Sequence, residues 1–127
     1  MGFADNSVIL NLGGNNIVGD GIIFTLGAGE DASVSPWHGC EKFAAIIKVT
    51  ALALASGDTL EIDFDSSIDG ANYTSGGAVG KVTGINALGN YLFTYAGAPI
   101  SNLRISQKVT AGTDSATVTV DLEGTMT

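Results

Sequence analysis

The residues with the most chemical potential lie in one short run, Asp63-Phe64-Asp65-Ser66-Ser67-Ile68-Asp69-Gly70. Side-chain oxygens at alternate positions suit a hard cation such as Ca²⁺, which takes about six to eight oxygen ligands. A calcium loop of the EF-hand kind, counted from Asp63, needs Gly at its sixth position and Glu at its twelfth. Those positions hold Ile68 and Thr74. The run departs from the motif where the motif is strict. The expectation is therefore plainer: Asp63 and Asp65 on the solvent face of a strand, then a tight turn at Asp69-Gly70.

His38, Cys40 and Glu41 form the other cluster of reactive types. A structural zinc site needs four ligands, and one His with one Cys cannot supply them. A Cys–His catalytic pair draws its partners from separate parts of a fold. Residues 38 and 40 would share a face if they lay on a strand, and nothing nearby marks an oxyanion site. Cys40 reads as a small buried hydrophobe. No phosphate-binding loop, nucleophile elbow or dinucleotide fingerprint is present. Glycines between 77 and 84 lack the following helix that a phosphate cradle needs. A carboxylate pair for glycoside hydrolysis is a matter of spatial separation, which a sequence does not give. No catalytic residue, metal ligand or cofactor site is therefore assigned.

The aromatics offer a binding role instead. Trp37, Tyr73, Tyr91 and Tyr95 could form a platform on which a sugar stacks. The competing and preferred reading is core packing with hydroxyls at the rim. Trp37 and Tyr73 are the candidate interaction residues.

The elements that must position these groups are strands. The 127 residues fit one domain, and 18 glycines with only 14% charged residues favour short strands and tight turns over long helices. Residues 60–65 (Leu-Glu-Ile-Asp-Phe-Asp) and 117–122 (Thr-Val-Thr-Val-Asp-Leu) alternate apolar and polar positions. That period-two pattern marks half-buried strands. Phe64, on the apolar side of the first, is expected in the core. Strands are expected at 7–12, ended by Gly13-Gly14-Asn15-Asn16, and at 21–26, 32–34, 42–54, 59–66, 78–83, 91–95, 102–110 and 116–124. In 42–54, Phe43, Ala45, Ile47, Val49 and Ala51 share one face. The last two strands read as an antiparallel hairpin around Ala111-Gly112-Thr113-Asp114. The expected fold is all-β: an antiparallel β-sandwich or jelly-roll-like barrel of about eight short strands. Residues 1–35 are less regular and read as an N-terminal arm or outer strands, with the sandwich in 36–127.

Charge narrows the partners. Thirteen acidic and five basic side chains give a net charge of −8. Lys42, Lys48, Lys81, Arg104 and Lys108 are scattered among carboxylates, so the basic footprint of a nucleic-acid binder is missing. A single Cys allows no intrachain disulfide. No stretch approaches the ~20 apolar residues of a membrane span, and Met1-Gly2-Phe3-Ala4-Asp5 carries no basic leader. Neither nucleic acid nor membrane is expected as a partner.

Residues 42–124 resemble a small β-sandwich found in virions of tailed bacteriophages. The resemblance rests on a long strand ending near Val49-Thr50-Ala51, followed by Ser56-Gly57-Asp58-Thr59-Leu60. It continues through the turn Ser67-Ile68-Asp69-Gly70-Ala71-Asn72-Tyr73, then Asn102-Leu103-Arg104-Ile105 and the closing segment Thr110-Ala111-Gly112-Thr113. The resemblance implies a capsid decoration (cement) protein that binds the major capsid protein on the outer surface of the head and stabilises it. It also implies a homo-oligomer, a trimer if the sites are three-fold, made in the host cytoplasm and localised to the virion. It brings no catalytic residue. A tail structural component and a carbohydrate-binding surface module are the alternatives.

Overall fold

The computed structural model describes residues 7–27 and 40–125. Among them are eight strands and no helix: β1 (Ser7–Val18), β2 (Gly21–Gly27), β3 (Cys40–Ala53), β4 (Leu60–Ser67), β5 (Gly80–Ile85), β6 (Gly89–Ile100), β7 (Asn102–Val109) and β8 (Ser115–Thr125). They form two four-stranded sheets, ordered β1-β8-β3-β6 and β2-β7-β4-β5. Every pairing is antiparallel. This interleaved order is that of a jelly roll, a double-sheet sandwich built from two Greek keys. The expected all-β sandwich is what forms.

Each sheet turns its apolar alternation inward. Leu12, Ile47, Val118, Val120 and Leu122 come from the first sheet; Leu26, Leu60, Ile62, Phe64, Leu103 and Ile105 come from the second. All are essentially inaccessible, and each such side chain contributes about 1.5–3 kcal/mol on burial. Gln107 joins this inner layer as a polar member. Its Nε2 donates to the carbonyls of Ile17 (3.0 Å) and Gly19 (2.8 Å), tying β7 to the β1–β2 turn. At the same end of the sandwich, the Asp114 carboxylate accepts from the amides of Ala55 and Ala111, both at 3.0 Å. The Ala55 amide, more than any other partner, holds the Asp114 carboxyl below its ordinary value, while Asp114 in turn pushes Asp58 up.

Several sequence expectations change. The Gly13-Gly14-Asn15-Asn16 cluster does not end β1; the strand crosses it with a register shift between Gly13 and Asn16 and turns at 19–20 instead. The glycines supply a bulge, which bends a strand without ending it. A second shift between Val49 and Ala51 reverses the facing of β3, so Leu52 packs on the core and Ala51 is exposed. The strands at 102–109 and 115–125 are not a hairpin. β7 pairs with β2 and β4, whereas β8 pairs with β1 and β3 in the opposite sheet. The short connection crosses between layers, because each strand's pairing partners and apolar face lie in a different sheet. The 32–34 strand, with Trp37 and His38, lies outside the described residues, as does the Cys40 side chain.

Residues 7–27 supply one strand to each sheet, at an edge in both cases. β1 lies across from β2 at one side of the sandwich and β6 across from β5 at the other. At the second side an aromatic stack closes the core. Phe64 and Phe93 lie nearly parallel with ring centroids 4.3 Å apart, and Phe43 contacts both, at 5.9 and 5.8 Å.

Candidate functional site

The outer face of the β2-β7-β4-β5 sheet gathers most of the polar chemistry. Alternation along β4 turns Glu61, Asp63, Asp65 and Ser67 outward, away from Leu60, Ile62 and Phe64. The register sets Glu61 opposite Lys108, Asp63 opposite Ser106 and Asp65 opposite Arg104 on β7. On the other side of β4, Lys81 of β5 sits opposite Asp63. Its ammonium lies 4.0 Å from Glu61.

Asp63 and Asp65 do not lie in solvent as the alternation suggests. They are 6% and 4% exposed. The reason is the connection between β4 and β5, which folds back over the sheet. Asp65 fastens it: one carboxylate oxygen accepts from the Thr74 hydroxyl (2.9 Å), the Gly77 amide (3.1 Å) and the Ala78 amide (3.0 Å). The other also accepts from Gly77, at 3.2 Å. Backbone bonds from Thr74 to Ser66 and from Val79 to Phe64, both 3.0 Å, flank this anchor. Gly77 has φ of 75°, a left-handed conformation that glycine adopts without strain.

Asp63 sits beneath the same segment. A Cβ on Gly77 would lie 3.3 Å from its Oδ1, an atom that is buried and has no hydrogen-bond partner. Burial, and next the carboxyl of Glu61, push the Asp63 pKa from 3.8 to about 7; Asp65 adds to the rise and Lys81 opposes it.

Asp69 has a different environment. It accepts from the Ser67 hydroxyl (2.9 Å), the amides of Ala71 and Asn72 (both 2.8 Å) and the Asn72 side chain (2.7 Å). The Asn72 amide leads these bonds in holding its carboxyl well below the usual range. The Ser67 hydroxyl accepts from the Gly70 amide, which completes the turn. The Ser-Ile-Asp-Gly turn is thus a self-satisfied Asx turn. It presents Ile68 almost wholly to solvent, at 94% exposure. The calcium reading of residues 63–70 finds no support: Asp65 and Asp69 are occupied by separate backbone segments. No group of three or more His, Cys, Asp or Glu among the described residues is placed to hold a metal ion.

Two shallow hollows border the 66–79 segment. One, of about 400 Å³, runs between the Ser67–Asp69 turn and Pro99-Ile100-Ser101. The other, of about 310 Å³, is lined by Asp20, Asp63, Arg104, Ser106 and Lys108. Tyr73 lies with the Arg104 guanidinium 3.9 Å from its ring centroid, a cation–π contact. Of the four aromatics considered for a platform, Trp37 lies outside the described residues, and the three tyrosines divide between the two sheets. Tyr91 and Tyr95 lie in the first sheet and pack against the core. Their hydroxyls donate to the carbonyls of Ala87 and Ala98, both at 2.7 Å. Tyr73 lies against the outer face of the second sheet, beside Arg104. What the sequence reading missed is the Asp65 anchor and the Arg104–Tyr73 contact. The two-residue spacing of Asp63 and Asp65 gave their shared face, but no local signal gave the strap that covers it.

The outer face of the first sheet is simpler. Ala44, Ile46 and Leu92 share it with an ion pair between Lys48 and Asp121 at 2.7 Å. Lys48 is also the main cause holding the Asp121 carboxyl below its ordinary value, with Asn11 as a second partner. Ile46 and its register partner Leu92 are 37% and 64% exposed.

No family model matches the sequence, and no curated protein matches it. Among solved structures, the chain is similar to one described as the structure of Eiger TNF from S. frugiperda. The identity is 11%, with 96% of this chain and 94% of that chain covered and a TM-score of 0.50. At that identity the likeness speaks to the fold alone, and it agrees with the jelly roll read from the strand order.

Proposed function

We infer that this chain is a structural virion protein that decorates the outer surface of a tailed-phage head. The observation that carries the reading is how its carboxylates are used. Asp65 and Asp69, the residues with most chemical potential in the sequence, fasten the protein's own loop and turn. That use suits a stiff surface module. The resemblance of residues 42–124 to small phage virion proteins supports the same reading. So does the jelly roll, which recurs in viral capsid and lectin domains. The partner is the major capsid protein, and the protein acts as a homo-oligomer matching the symmetry of its sites.

The test is to add purified protein to heads that lack it, sediment them, and image the pellet by cryo-electron microscopy. Saturable co-sedimentation with density on the outer shell is the expected result. Density confined to the tail moves the role to a tail component. No density on any particle overturns the virion reading.

A carbohydrate-binding module is the second reading, favoured by Tyr73 and Arg104 beside the 310 Å³ hollow. Aromatic faces with adjacent polar groups suit sugar rings. It predicts glycan binding that is lost in Tyr73→Ala, and a glycan array without hits removes it.

A further inference from the structure

We propose that the 74–79 segment is a latch, held shut on Asp65, which opens when Asp63 loses its proton. Three carboxyl groups, Glu61, Asp63 and Asp65, follow one another at two-residue spacing on one face of β4. Side chains so placed sit about 7 Å apart. The middle one is 6% exposed, has an unpartnered buried oxygen, and lies directly beneath Gly77. The last one holds the amides of Gly77 and Ala78. A charge appearing on Asp63 therefore lies next to the anchor and under the segment that the anchor holds.

The charged groups around Asp63 do not neutralise it. On its own strand it faces Glu61 and Asp65. On β5 it faces Lys81, whose ammonium is drawn to Glu61. On β7, Ser106 stands opposite it, Arg104 stands opposite Asp65 and reaches over Tyr73, and Lys108 stands opposite Glu61. Asp20 borders the adjoining hollow and accepts from the amide of Val109. While Asp63 is neutral, the Asp65 carboxylate beneath the strap is fully engaged by Thr74, Gly77 and Ala78. Once Asp63 ionises, a second carboxylate charge lies beside Asp65 under the same segment, and its buried Oδ1 has no donor there. Lifting the strap re-solvates both.

The direction follows from linkage. A carboxyl raised to about 7 in the closed form, and relaxing toward its ordinary value when the strap lifts, binds its proton more tightly in the closed form. The closed form is favoured at low pH, loses ground as pH rises from the ordinary carboxyl value of 3.8 toward about 7, and levels off above it. Because the strap borders both hollows, its opening changes the outline of that whole face.

The test is amide hydrogen exchange by NMR on the full chain at pH 5.5 and 8.5, corrected for intrinsic exchange rates. The expected result is a drop in protection at Gly77 and Ala78 of about tenfold at the higher pH. Val118 and Val120 in the core should stay better protected than Gly77 and Ala78 at both pH values, because the strap opens without unfolding the core. Asp63→Asn should remove the pH dependence. Glu61→Gln should shift its midpoint to lower pH, because it deletes a charge that resists ionisation; a merely structural role for Asp63 would not produce that shift. Equal protection at both pH values overturns the latch. So does a pH dependence that survives Asp63→Asn, or protection at Gly77 equal to that at Val118 and Val120, which would mean that only global unfolding exposes it.

Discussion

Replacing Phe64 by Ala tests the packing at the side of the sandwich where β5 meets β6. Phe64 is wholly buried, stacks on Phe93 at 4.3 Å and touches Phe43 at 5.9 Å. Truncating a buried Phe costs about 3–5 kcal/mol, and the cost depends on how far the site collapses. Here one wall of the vacated space is Phe93, a half-buried side chain at the edge where β5 meets β6. It can slide inward, so the lower half of the range is expected, about 3–4 kcal/mol. Phe93→Ala should cost less, about 1–2 kcal/mol, because Phe93 already loses part of its burial to solvent. The double variant should then show a coupling of about 0.5–1.5 kcal/mol, the value of a stacked aromatic pair beyond its area. Urea unfolding of all four proteins, with slopes compared, measures each number. A Phe64→Ala cost within about 0.5 kcal/mol of zero would refute the assignment of that strand face to the core. A Phe93→Ala cost equal to that of Phe64→Ala would refute the account of the edge.

Three further outcomes are expected. Asp63, raised from 3.8 to about 7, makes the folded chain bind more protons than the unfolded chain between those values. Stability should therefore fall as pH rises through that window. The ceiling is about 4 kcal/mol at ~1.4 per pH unit, and solvent screening brings it to about 1–2 kcal/mol. Urea midpoints at pH 4.5 and 7.5 should diverge for the wild type more than for Asp63→Asn, and identical pH profiles would contradict the assignment. Gln107→Ala leaves two carbonyls of the β1–β2 turn without their donor, at a cost of about 2–4 kcal/mol; thermal unfolding reads it, and an unchanged midpoint would show that the turn finds other donors. Gly77→Ala should destabilise by about 1–3 kcal/mol, since φ is 75° and the new Cβ would meet Lys81 and Gly80 at 3.0 and 3.1 Å. A neutral result in chemical denaturation would mean that the strap relaxes freely.

The proposed role and the latch can fail separately. Attachment to heads tests the first, and exchange at Gly77 and Ala78 tests the second on the isolated chain. If both hold, attachment measured across neutral pH asks whether the strapped face is the one that meets the shell.

The sequence alone determined the class of fold and the inward faces of its clearest strands. Alternation in residues 60–65 and 117–122 is a local property, and burial follows from it once sheets stack. Leu60, Ile62, Phe64, Val118, Val120 and Leu122 are all in the core. Tertiary structure decided what local pattern does not encode. It placed β7 and β8 in different sheets, because pairing partners come from distant segments and a short connection serves a hairpin or a crossing equally well. It carried β1 through a glycine cluster that reads locally as a stop, since pairing with β8 resumes beyond the bulge. It buried Asp63 and Asp65, which alternation puts on the polar face, by folding a strap over them. Whether the polar face of a strand meets water is set by what crosses it, and that is a contact between residues 65 and 77 that neither residue announces.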